Sequence, residues 1–191
     1  GTYYKNVKEK TFAVDKEFMG KEFLIKDTLP KLKWKLEGET KKIGDYTCYK
    51  ATAVKKVAQS DFRNFRQKKQ EETKDKKEEK TEEKKTNFMD DFEMPKEVNV
   101  IAWYTPEIPV NQGPEGYWGL PGLILEVSDD KTVILCSKIV LNSKEKAAIK
   151  APTKGKVVTQ KEYDEIVTTK MEEMKEQFRR GGGRPGIRIG N

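Results

Sequence analysis

Residues 113 to 127 read Gly113-Pro114-Glu115-Gly116-Tyr117-Trp118-Gly119-Leu120-Pro121-Gly122-Leu123-Ile124-Leu125-Glu126-Val127. A glycine- and proline-punctuated loop with two large aromatics runs straight into an apolar, β-prone segment. Pro106, Pro109, Pro114 and Pro121 stand within this stretch and the one before it. Each proline fixes φ near −65° and removes a hydrogen-bond donor. The connection should therefore be stiff and should join two strands. Leu120-Pro121-Gly122 fits a type II turn, with positive φ expected at Gly122.

Upstream lies Glu97–Thr105, a predicted strand, and Gly122–Val127 is the next. Ser128-Asp129-Asp130-Lys131 reads as a hairpin turn leading to Thr132–Leu141, which is apolar enough for a central strand. Towards the N-terminus, Tyr3–Lys8, Lys10–Asp15 and Lys21–Lys26 are short and carry aromatics, and Asp27-Thr28-Leu29-Pro30 reads as a turn. Lys33-Trp34-Lys35-Leu36 alternates charged and apolar residues, the mark of a half-buried strand. Thr47–Val54 has strand composition. Thr159-Gln160-Lys161-Glu162 has capping-box spacing. The helix it opens places Tyr163, Ile166, Val167, Met174 and Phe178 near one face, suited to covering a sheet. Gly181-Gly182-Gly183 should stop it.

The expected fold is mainly β, a curved antiparallel sheet or half-barrel with one packed C-terminal helix. Residues 1–58 and 96–180 form a single β-rich domain in this reading, with a charged insert at 59–95 and a loose Gly/Arg tail at 181–191. Ser60-Asp61-Phe62 could start a helix inside the insert. Gln67 to Lys85 contains no apolar residue, cannot bury anything, and should be solvated or transiently helical.

The chain of 191 residues carries a net charge of +7 with 37% charged residues. The charge is uneven: +7 over residues 1–66, +1 over 67–85, −6 over 86–142 and +5 over 143–191. Attraction between these blocks, or an anionic partner, could follow. No apolar run is long enough for a membrane span. Gly1 opens the chain in mid-pattern, which suggests a processed or truncated start. There is no histidine. That removes His-based triads and His-ligated metals.

The aromatic–proline segment is the main candidate site. Trp103, Tyr104 and Pro106 end one strand, and Tyr117, Trp118, Gly119, Leu120, Pro121 and Gly122 begin the next. Rings on a stiff backbone lose little entropy on binding. They could form a lip for an apolar or peptide ligand, or plug one end of the sheet. Cys48 and Cys136 could form a disulfide in an oxidising compartment, or act as buried thiols. Asp90-Asp91 with Glu93, and Asp129-Asp130, lack calcium-loop spacing, and the second pair suits turn chemistry. Arg179-Arg180-Gly181-Gly182-Gly183-Arg184 is a short RGG-like tail, weak as an RNA signal. No metal site, cofactor or phosphate loop is expected.

Gly119-Leu120-Pro121-Gly122-Leu123-Ile124 resembles the hallmark of the GLPGLI family, Bacteroidota proteins of unknown function. The blocks Ile25–Pro30, Trp34–Leu36, Lys42–Thr52, Ala102–Pro109 and Pro152–Thr159 are similar to that family's other segments. The resemblance implies a removed signal peptide and a place in the periplasm or at the outer membrane. It also implies further strands ahead of the block that opens this chain. Its partner would be an outer-membrane protein, of the TonB-dependent transporter type. The strand-rich pattern is also similar to lipoprotein-carrier folds.

The functional expectation is a non-catalytic envelope protein, peripheral to the membrane, that binds a protein partner or an apolar ligand through the aromatic–proline face. A periplasmic carrier of a lipid-like ligand is the alternative. A carboxylate hydrolase using Glu107, Glu115 or Glu126 ranks below both. Nucleic-acid binding ranks last, despite the basic pI.

Overall fold

The computed structural model describes residues 1–58, 60, 61, 66, 67, 92, 93, 95–144 and 148–180. The fold is mainly β, with antiparallel-rich open sheets and one C-terminal helix. Two compact units are present, one formed by Gly1–Pro30 with Ser143–Asn191 and the other by Lys31–Asn142.

The first unit holds β1 (Tyr3–Asn6), β2 (Thr11–Phe18) and β3 (Lys21–Thr28). Met19 and Gly20, both with positive φ, make the two-residue turn between β2 and β3, as the twist of a tight hairpin requires. Phe12-Ala13-Val14 on β2 and Phe23-Leu24-Ile25 on β3 are buried consecutively, so both faces are covered at the centre of this sheet.

The second unit holds β4 (Lys35–Ile43), β5 (Tyr46–Lys56), the two-residue pair β6 (Arg66–Gln67) and β7 (Phe92–Glu93), β8 (Glu97–Thr105), β9 (Leu123–Ser128) and β10 (Val133–Leu135). Its five-stranded sheet runs β10-β9-β8-β5-β4, antiparallel throughout. On β8, Val98, Val100, Ala102 and Tyr104 are buried at alternate positions, the period-2 signature of one covered face. Ala102 pairs with Ala51 on one side and Val127 on the other. Tyr117, Leu120 and Ile124 belong to the same core cluster.

The chain returns to the first unit as β11 (Lys156–Val158), which pairs parallel with β3 and completes the order β1-β2-β3-β11. Gly155 makes this docking possible. Its φ is +109°, and a Cβ there would stand 2.7 Å from the Phe23 carbonyl carbon.

Helix α1 (Gln160–Arg180) follows directly. Its capping box forms as expected: the Glu162 N–H donates to Thr159 Oγ1 at 3.2 Å, and the Thr159 N–H donates to Glu162 Oε2 at 2.7 Å. Asp27 Oδ2 accepts from the Gln160 N–H at 3.1 Å, tying the helix start to β3. Tyr163 and Val167 are buried, and the Tyr163 ring meets Phe23 edge-on at 5.4 Å. Ile166 and Met174 are half-buried, and the Phe178 side chain lies outside the described residues.

The backbone N–H of Thr159, then its hydroxyl, holds the Glu162 carboxyl below the usual carboxylate range. A depressed folded pKa stabilises above the unfolded value, and that stabilisation is lost as pH falls through the folded one. Thermal midpoint followed by helix ellipticity should therefore fall with pH below the carboxylate range, and Glu162→Gln should flatten that dependence. A slope unchanged by Glu162→Gln would show that the box contributes nothing. Thr159→Ala should cost about 1 kcal/mol at neutral pH.

Two expectations are corrected. Thr132–Leu141 is not a central strand. Only Val133–Leu135 pairs, at the sheet edge, with Val133 and Leu135 exposed. Apolar content without a second neighbour does not make a strand central. Asp27 and Thr28 belong to β3 rather than to a turn. The proposed helix start at Phe62, residues 68–85 of the charged insert, Asp90-Asp91 and the tail beyond Arg180 lie outside the described residues.

Candidate functional site

The site is built on the connection between β8 and β9. The Leu123 N–H donates to the Ile108 carbonyl at 3.0 Å, Ile124 to Gln112 at 2.9 Å, and Gly119 to Asn111 at 3.2 Å. The Tyr117 N–H closes a turn onto the Pro114 carbonyl at 3.0 Å. Two arms, residues 108–112 and 119–124, are thus stitched together by main-chain bonds, and prolines stiffen both. Gly119 has φ +91° and carries the left-handed bend. Gly122 does not, which corrects the expected turn. Its missing side chain serves close approach instead, since a Cβ there would lie 2.2 Å from the Thr105 carbonyl oxygen.

Tyr117, Trp118 and Leu120 do not form an accessible lip. Trp118 is 6% exposed, and Tyr117 and Leu120 are buried. Between a lip and a plug, these rings take the second role. The Trp34 indole N–H donates to the Trp118 carbonyl at 2.9 Å. Lys31 Nζ stands 5.9 Å from the Trp118 ring centre and Lys55 Nζ 4.9 Å from that of Tyr117. Burying two large rings on a small sheet outweighs leaving them wet, at roughly 25 cal/mol per Å² of apolar surface. Tyr104 is buried beside Tyr49, ring centres 6.1 Å apart, and burial pushes its hydroxyl pKa up.

What stays accessible is the rim. Pro109, Val110, Asn111 and Gln112 face Leu120, Pro121 and Gly122 across an open notch of about 650 Å³. Val110, at 43% exposure, Pro109 and Pro121 give it an apolar border, and Asn111 and Gln112 bring amide groups. Pro106 is exposed nearby in sequence. Of the residues singled out from sequence, Leu120, Pro121 and Gly122 line the notch. Pro109, Val110, Asn111 and Gln112 are its other wall. The signal for that wall was the proline spacing.

Trp103 lies on the other face of the same sheet. The register aligns Lys50, Trp103, Glu126 and Leu135 across four strands, and Thr52, Ile101, Ser128 and Val133 beside them. Lys41 Nζ stands 4.4 Å above the Trp103 ring and pairs with Glu126 at 2.7 Å. Ordinary alternation along β8 puts Trp103 and Tyr104 on opposite faces, and the register shift opposite them adds Leu125 to β9, so that Ile124 and Leu125 are buried in succession. Lys41 and Glu126 were missed as neighbours of Trp103, because cross-strand pairing has no signature in a single sequence.

Cys48 and Cys136 are free, which corrects the disulfide. Cys48 is on β5, and the Cys136 N–H bonds to Leu125 on β9 from the far side. Strands β8 and β9 lie between them. Strands are about 4.8 Å apart, so the gap exceeds the roughly 7 Å a disulfide can span. Burial raises the Cys48 thiol pKa.

Glu126 is held by Lys41, and Glu107 accepts the Thr47 N–H at 2.8 Å. Asp129 Oδ1 accepts the N–H groups of Lys131 and Thr132 at 3.1 and 2.8 Å, as turn chemistry requires. Among the described residues no group of His, Cys, Asp or Glu could hold a metal ion. No described helix is long and apolar enough to cross a membrane.

No curated protein and no solved structure matches this chain. Residues 34–126, from Trp34 through β9 to Glu126 and so including the notch and both of its arms, match the family Porph_ging, described as a protein of unknown function.

Proposed function

We propose that this is a non-catalytic binding protein of the cell envelope, which docks a protein partner through the proline-rimmed notch. The observation that supports the reading is the notch itself. Exposed Pro109, Val110 and Pro121 surround two amides on a backbone already fixed by hydrogen bonds between its arms. Such a surface needs little ordering on association, so more of its contact energy survives as affinity. Its openness suits a protein surface better than a small molecule, which sites of this volume bury almost completely. The envelope location and an outer-membrane partner of the TonB-dependent transporter type are the finer part of the proposal. They rest on the likeness of Gly119–Ile124 to the GLPGLI hallmark.

The test is quantitative capture from a solubilised outer-membrane fraction on immobilised protein. Wild-type protein should retain an outer-membrane protein, and Val110→Asp with Pro121→Asp should lower retention at least about tenfold with the thermal midpoint unchanged. Equal retention by the folded double variant would overturn the assignment. So would recovery of lipid alone, which would favour a carrier.

A further inference from the structure

Among the described residues, strand β11 is an edge of its sheet, with β3 on one side. Helix α1 starts one residue after it and packs on β3. Lys156, Val157 and Val158 from the strand, and Glu162, Glu165, Ile166, Thr169 and Lys170 from the helix, line a groove of about 460 Å³. The helical members are spaced by three and four residues and form one stripe. Val157 is 61% exposed at the strand edge, and Ile166 is half-buried in the stripe. An exposed edge strand invites another strand.

The charge order along the stripe selects the occupant. Glu162 and Glu165 lie towards the helix start, Ile166 and Thr169 in the middle, and Lys170 towards the end. Turned end for end, the same stripe places Glu165 opposite Lys170, Ile166 opposite Thr169, and Glu162 opposite Glu173. An antiparallel copy of β11 centred on Val157 puts Val157 against Val157, and Lys156 beside the acidic helix start. The two Glu165–Lys170 pairs and the two Lys156 side chains thus offset the two Glu162–Glu173 pairs, and the surface can meet itself, as a two-fold interface must. We infer that two copies of this chain associate through β11 and α1, joining their sheets edge to edge and closing both grooves.

The existing partners of these charges do not oppose this. Lys170 pairs with Glu173 at 2.5 Å and Lys161 with Glu165 at 3.9 Å, both within one helix and both solvent-exposed. Exposed pairs of this kind contribute little and exchange readily.

Sedimentation velocity over a concentration series tests the inference. Wild-type protein should pass from monomer to dimer in the micromolar range. Lys170→Glu and Glu165→Lys, each placing like charges in apposition twice, should each weaken the dimer about tenfold or more. The double variant carrying both changes should restore it, since the pair is swapped rather than lost. Val157→Pro should also abolish association, with the helix signal by circular dichroism showing whether the unit remains folded. A monomer at all concentrations would overturn the inference. So would a dimer indifferent to both single charge reversals, or a double variant no better than either single one.

Discussion

Gly122→Ala should destabilise the second unit by about 3 kcal/mol or more, as overpacking against an unyielding wall does. The added methyl would lie 2.2 Å from the Thr105 carbonyl oxygen, 2.6 Å from its carbon and 2.8 Å from the Pro106 nitrogen. All three are main-chain atoms, so no rotamer change relieves the contact. Thr105 is fully buried and paired with Leu123, the residue after the glycine. Relief must come from parting β8 and β9, which hold the notch together. A fall in thermal midpoint of more than about 10 °C is expected at 4–8 °C per kcal/mol. Gly38→Ala is the control. It lies in β4 with nothing within 4 Å of the new methyl and no positive φ. It should stay within about 0.5 kcal/mol of wild type. Equal melting of the two variants would refute the close approach at Gly122.

Trp118→Ala should cost about 3–5 kcal/mol, the range for emptying a buried aromatic site. The residue is 6% exposed, and its carbonyl receives the Trp34 indole. That bond is to main chain and survives the substitution, so the loss is one of volume and of the Lys31 contact over the ring. Chemical denaturation should show the midpoint shifted at nearly constant slope. A melting temperature within a few degrees of wild type, with partner capture lost, would instead make the indole part of the recognition surface. The two variants also separate stability from function. Val110→Asp with Pro121→Asp should spare the melting temperature, whereas Trp118→Ala should not.

Glu97–Thr105 was legible to the residue because Glu97-Val98-Asn99-Val100 alternates polar and apolar residues and runs on into β-prone Ile101, Trp103 and Tyr104. The helix start was legible because a capping box is a local device whose four residues contain their own partners. Strand β11 was not legible. Three residues beginning at a lysine carry no periodicity, and only the backbone of β3 makes them a strand. The site was half legible. Proline and glycine spacing pointed to a stiff connection, yet which rings it exposes was hidden. Trp103 and Tyr104 are neighbours in sequence and lie on opposite faces, and Tyr117 and Trp118 turn into the core.

By itself the sequence determined what local chemistry can encode. That comprises the β-rich class, the strands around the central connection, the helix with its cap, and the rigidity that four prolines impose between Pro106 and Pro121. Tertiary structure alone decided the division into two units, the parallel docking of β11, the separation of the cysteines and the burial of the indole at position 118. Each of these depends on residues far apart along the chain meeting at van der Waals distance. The free energy of such a meeting is set by the shape and polarity of both surfaces together, and a reading along one strand at a time contains only one of them.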